Sequence, residues 1–131
     1  MTYLEADWNI LAFWHESKML AGVLFIILAG CGSLFRWGLQ NSSRWKKPVG
    51  TLFANVVASF VLGILLADTY SDATIAIAGT GFLGSFSTFS TVMMEAGEEF
   101  EKRRSIPAIL YLSASTLGGV VAALVGLEIG A

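Results

Sequence analysis

The chain has one cysteine, one histidine and two prolines in 131 residues. A lone thiol, Cys31, forms no internal disulfide, and inside an apolar run it reads as a small packing residue. The single histidine, His15, has no cluster of ligand-type side chains around it, which leaves neither a zinc-type site nor a Ser–His or Cys–His pair. No HExxH and no phosphate-binding loop appears, so the sequence is not that of an enzyme. Charge is equally scarce. Only 14% of residues are Asp, Glu, Lys or Arg and the net charge is −2, which argues against a nucleic-acid partner. What is abundant is apolar surface: 55% of residues are hydrophobic and the mean hydropathy is +0.68, values that describe an integral membrane protein rather than a water-soluble domain.

Hydropathy predicts an all-α membrane protein with four spans, at about residues 19–36, 48–67, 73–95 and 107–128, preceded by a segment over residues 1–18. Pro48 and Pro107 stand at the starts of spans two and four, where a missing backbone N–H costs nothing. The first span is not a signal peptide, because it follows an eighteen-residue segment and precedes three more spans. That leading segment places Leu4, Trp8 and Leu11 on one helical face and is expected to lie in the membrane interface as an amphipathic helix.

With four spans, the N-terminus, the second loop and the C-terminus share one side of the membrane. That side holds one base, Lys18, against the acids Glu5, Asp7, Glu16, Asp68, Asp72 and Glu128. The other holds Arg36, Arg44, Lys46, Lys47, Lys102, Arg103 and Arg104. Positively charged loops stay in the cytoplasm, so loops one and three are expected on the cytoplasmic side of a cell membrane and both termini on the extracellular side.

Span two carries Thr51, Asn55, Ser59 and Gly63 at four-residue spacing, hence on one helical face. An amide in hydrocarbon is costly unless it meets protein or water, which makes Asn55 either an interhelical hydrogen-bonding group or part of a polar pathway. Span four carries the row Tyr111, Ser115, Gly119 and Ala123, with Ala114, Gly118, Ala122 and Gly126 beside it. Small residues at this spacing let helix backbones approach closely. Tyr111 and Ser115 extend the row as candidates for lining something polar. Glu95, at the end of span three, reads as the solvated start of an acidic helix terminus with Glu98, Glu99 and Glu101.

The most informative stretch is GTGFLGSFSTFSTV, residues 79–92. Its glycines and hydroxyl residues weaken an ordinary helix in mid-span. A break there frees carbonyls and N–H groups, which membrane proteins tolerate where protein, ions or a cavity satisfies them.

Three motifs now carry a resemblance. GFLGSFSTFST (Gly81 to Thr91), GCGSLFRW (Gly30 to Trp37) and PVGTLFANVVASFVLG (Pro48 to Gly63), with Tyr111 and Ser115 spaced as Tyr-x-x-x-Ser, are similar to motifs of the bacterial fluoride channels, the Fluc or CrcB family. The resemblance spans all four helices in order. It implies an antiparallel dimer with a broken third helix and fluoride pathways along the subunit boundary. It also implies a central structural Na⁺ held by the backbone carbonyls of Gly84 and Ser87. The fluoride pathway would use Asn55, Phe89, Ser90, Thr91, Tyr111 and Ser115, and Arg36 would sit at a vestibule. A narrow path for so strongly hydrated an anion needs donors that replace water without binding too tightly, and amides, hydroxyls and the positive edge of an aromatic ring meet that need.

The sequence departs from the family pattern where Ser85 replaces a glycine, Ser87 a threonine and Val92 a phenylalanine, and where Gly119 stands at a place often held by serine. Combined with the one-sided charge, these departures point to a fixed-orientation subunit of a heterodimer, a homodimer being the second choice. Two other classes stay open: a small four-span proton-coupled exporter, which needs an ionisable group inside the bilayer, and a non-conducting structural partner subunit.

Overall fold

The computed structural model describes residues 3–42, 47–68 and 70–131, with side chains described from residue 17 onward except at 43–47 and 69. Helix α1 is Tyr3–Gln40 and α2 is Lys47–Ala67. The third span is divided into α3, residues 72–86, and α4, Phe89–Glu101, and α5 is Ser105–Gly130. Among the described residues, four segments are long and apolar enough to cross a membrane: Ser17–Gln40, Pro48–Ala67, Asp72–Glu101 and Ser105–Gly130. The leading segment is helical from Tyr3 and runs without interruption into the first span. Its Leu4–Trp8–Leu11 face and His15 lie outside the described side chains, as do Arg44, Lys46 and Lys47.

The third span departs from a regular helix twice. Ser71 caps its start, its hydroxyl accepting the Thr74 N–H at 3.2 Å. After one α-turn, Ile75–Leu83 is π-helical, and a further α-turn, Gly84–Phe86, follows. The backbone then becomes extended at Ser87 (φ −78°, ψ 159°) and Thr88 (φ −157°, ψ 119°). The expected break is present, two residues long and placed within the Ser/Thr run. Thr88 also restarts the helix: its hydroxyl accepts the Thr91 N–H at 3.3 Å as the N-cap of α4.

Helices α2 and α5 form the closest pair in the bundle and run parallel, as alternate crossings must. The small-residue rows make that approach possible. A Cβ on Gly63 would overlap the Ala123 carbonyl, and one on Gly126 would overlap the Phe60 carbonyl. Helix α1 packs mainly against α3, where a Cβ on Gly32 would meet Ser85 Oγ and the Phe82 carbonyl. Among the described residues the buried apolar cluster is small: Ala54, Ala58, Leu83 and Phe86, with Leu39, Val57, Val61, Leu65 and Phe82 packed against it. Large apolar side chains such as Ile26, Leu34, Ile109 and Leu117 point outward, the inversion expected when the surroundings are lipid or another subunit.

Candidate functional site at the interrupted third span

A two-residue interruption leaves backbone groups in need of partners, and one side chain meets two of them. Asn55 Oδ1 accepts the Thr88 N–H at 2.7 Å, and Asn55 Nδ2 donates to the Thr88 carbonyl at 3.1 Å. The amide thus pairs with Thr88 much as a neighbouring strand would, and it holds the break against α2. One Nδ2 hydrogen remains for another acceptor. The Thr88 hydroxyl lies 3.2 Å from Ser90 Oγ and 3.1 Å from Thr91 Oγ1, so the sequence-predicted Ser90 and Thr91 surround the start of α4.

Beside the clamp lies a cavity of about 430 Å³, open on one side, lined by residues that include Asn55, Ser59, Phe89, Val92, Ser115 and Gly119. Three predicted residues, Asn55, Phe89 and Ser115, therefore meet in one space. Ser115 Oγ is buried with no hydrogen-bond partner among the described residues, and Ser115 belongs to the cavity's lining. The Phe89 ring is 72% exposed and stands at the open side. Val92 is buried at 2% and belongs to the same lining.

Tyr111 is drawn elsewhere. Its hydroxyl donates to Glu95 Oε2 at 2.5 Å, while Thr51 Oγ1 donates to Glu95 Oε1 at 3.0 Å and itself lies 3.3 Å from Gln40 Nε2. This chain of contacts ties all four spans together through Gln40, Thr51, Glu95 and Tyr111. It corrects the expectation that Glu95 is a solvated terminus: the residue is 7% exposed. Val92, Glu95 and Ala96 form the inward face of α4, whereas Glu98 and Glu99 take part in surface ion pairs with Lys102 and Arg104. Among the described residues, the Glu95 carboxyl group is held by two hydroxyl donors.

The carbonyls at the break have lost their helical partners. The N–H that would serve the Gly84 oxygen, that of Thr88, goes to Asn55, and the N–H that would serve the Ser87 oxygen, that of Thr91, goes to the Thr88 hydroxyl. Arg36 Nη1 approaches the Ser87 oxygen at 3.5 Å, the outer limit of a hydrogen bond, and the carbonyl's second lone pair stays available. Gly84 and Ser87 line a second pocket of about 270 Å³ together with Ser59, Thr80 and Leu83. Among the described residues there is no cluster of His, Cys, Asp and Glu that would hold a metal. A cation at this pocket would have to be a hard one taken by backbone oxygens, and the freed carbonyls suit that chemistry.

Comparison with known proteins adds an independent line. A family model described as CrcB-like protein, Camphor Resistance (CrcB), matches residues 23–127. A fluoride-specific ion channel, FluC 1 of Geobacillus kaustophilus, is 39% identical over 95 residues, covering 72% of this chain and 80% of that relative. FluC 2 of Rhodococcus jostii, also named a fluoride-specific ion channel, is 34% identical over 110 residues, covering 82% of this chain and 96% of the relative. FluC 1 of Listeria monocytogenes is 34% identical over 106 residues, or 78% and 90% of the two chains.

Proposed function

Because the chain belongs to the CrcB-like family, we propose that it is a subunit of a fluoride-selective channel through which fluoride leaves the cytoplasm passively. The observation that carries the reading is the Ser87–Thr88 interruption, clamped by Asn55 beside a cavity that gathers Phe89 and an unpartnered Ser115 hydroxyl. Fluoride entering this space sheds water and receives the free hydrogen of Asn55, the Ser115 hydroxyl and the edge of Phe89, with Ser90 and Thr91 at the mouth. None of these donors is charged, so the anion is recognised without being trapped. Tyr111, oriented by Glu95, stands one turn before Ser115 on α5 and extends the polar face toward loops one and three. Arg36, near the break, draws anions to the vestibule.

The cavity's open side and the exposed Phe89 ring favour completion by a second subunit. The partner in this reading is a homologous chain in the opposite orientation, with a homodimer as second choice. A central Na⁺ on the Gly84 and Ser87 carbonyls would supply positive charge holding the two interrupted helices together. The one-sided loop charges favour loops one and three on the cytoplasmic side of the cell membrane and both termini on the extracellular side. Residues 1–18 serve in this reading as an interfacial segment and residues 19–131 as the channel domain.

Burial of Glu95 within the third span is the one observation favouring the proton-coupled exporter. The two readings separate in liposomes. Passive fluoride release, faster than chloride and independent of an imposed pH gradient, is expected of the channel, alone or with its partner chain. Release unchanged in both Asn55→Asp and Phe89→Ile would remove the pathway assignment, and release driven only by a proton gradient would favour the exporter.

A further inference from the structure

Polar side chains line the cavity from two helices, and they end at different levels. On α5 the row Tyr111, Ser115, Gly119, Ala123 loses its hydroxyls after Ser115, whereas on α2 the row Thr51, Asn55, Ser59, Gly63 continues one turn further. Thr51 is engaged with Glu95 and Asn55 with Thr88. Ser59 lines the larger cavity and makes no hydrogen bond among the described residues. It also faces the gap on the opposite helix: a Cβ built on Gly119 would stand 3.3 Å from Ser59 Oγ and 4.0 Å from Ser59 Cβ. The Ser59 hydroxyl thus occupies the region into which a side chain at position 119 would project.

We propose that Ser59 is a fluoride-contacting residue, its hydroxyl carrying the polar route from Ser115 across to α2 at the level where α5 offers only Gly119. The assignment rests on the fluoride-channel reading above. The chemistry needs a small donor that is not already committed, and an O–H pointing along a cavity wall can turn its proton to an anion while its lone pairs face elsewhere. The arrangement also shows how a chain with glycine at 119 keeps a donor at that level of the cavity: the hydroxyl comes from α2 instead of α5. A larger residue at 119 and the Ser59 hydroxyl compete for one volume, so the two positions are coupled.

The test is fluoride release from liposomes by the full chain in its conducting assembly, comparing wild type, Ser59→Ala, and Ser59→Ala combined with Gly119→Ser. Loss of one donor to an anion is expected to slow release about tenfold in Ser59→Ala. The added Gly119→Ser should return it to within about threefold of wild type, because the new Cβ faces a methyl group and its hydroxyl enters the emptied volume. Size-exclusion profiles should be alike for all three. Wild-type release in Ser59→Ala overturns the assignment, as does a loss that the serine at 119 leaves unrepaired or a loss accompanied by dissociation, which would make Ser59 a packing residue. A wild-type assembly that releases no fluoride would sink the channel reading itself, a result distinct from these.

Discussion

Replacing Asn55 by leucine removes both partners of the Thr88 backbone while keeping a side chain of similar length. Thr88 is 8% exposed, so water does not substitute freely for the lost amide. A buried N–H or C=O left unsatisfied costs about 1–3 kcal/mol, which sets an upper range of roughly 2–6 kcal/mol for the pair. Part of that is recoverable, because the Thr88 N–H regains the Gly84 carbonyl if the backbone closes into a helix. The net destabilisation of Asn55→Leu is therefore expected at about 2–4 kcal/mol, with hydroxyl and carbonyl groups withdrawn from both pockets and fluoride release lost. Asn55→Asp keeps an acceptor for the Thr88 N–H, whose bond is the shorter at 2.7 Å, and loses the donor to the Thr88 carbonyl, so about half the effect is expected. Reversible unfolding in mixed micelles measures the stabilities, and hydrogen exchange at the Thr88 amide reports the clamp directly. If Asn55→Leu unfolds at the wild-type midpoint with unchanged exchange at Thr88, the amide does not hold the break and Asn55 does not shape the pathway.

Glu95→Leu strands the Thr51 and Tyr111 hydroxyls and is expected to cost about 2–4 kcal/mol, with Glu95→Gln closer to wild type because its carbonyl still accepts one of them; micelle unfolding separates the two. Gly126→Val sets a branched side chain against the Phe60 carbonyl and should force α2 from α5, read as lost assembly on size exclusion, whereas Gly22→Val, with nothing near its Cβ, should assemble normally. Exchanging Na⁺ for a large organic cation should lower the thermal midpoint of the assembled protein; an unchanged midpoint would count against a cation on the Gly84 and Ser87 carbonyls. Cysteines placed at Asp72 and Lys102 should react with impermeant reagents from outside and inside respectively, and equal labelling of both from one side would contradict a single fixed orientation.

What the sequence made legible followed from local chemistry. Apolar runs gave the spans, and four-residue spacing gave the α2 and α5 faces that pack together. The glycine and hydroxyl content of residues 79–92 placed the interruption, since Ser and Thr compete for backbone partners and Thr88 in fact takes the Thr91 N–H. The π-helical turns of Ile75–Leu83, which pack against α1 and α2, left no such trace, because their apolar residues suit either kind of helix. Glu95 was misread for a related reason. Its neighbours Glu98, Glu99 and Glu101 suggest a wet helix end, and nothing local reveals that Thr51 and Tyr111 converge on it from two other helices. A signal was present in the spacing: Glu95 follows the buried Val92 by three residues and so shares its face, while Glu98 falls one turn beyond, where the helix has reached the exposed end. Glu99 is nearly in phase with Val92 as well yet forms surface ion pairs, so position along the helix together with phase, rather than the density of like charges, decides which acid is buried. The same reasoning separates the hydroxyls of the third span, where Thr88 is enclosed by the clamp and Ser90, two residues on, is exposed.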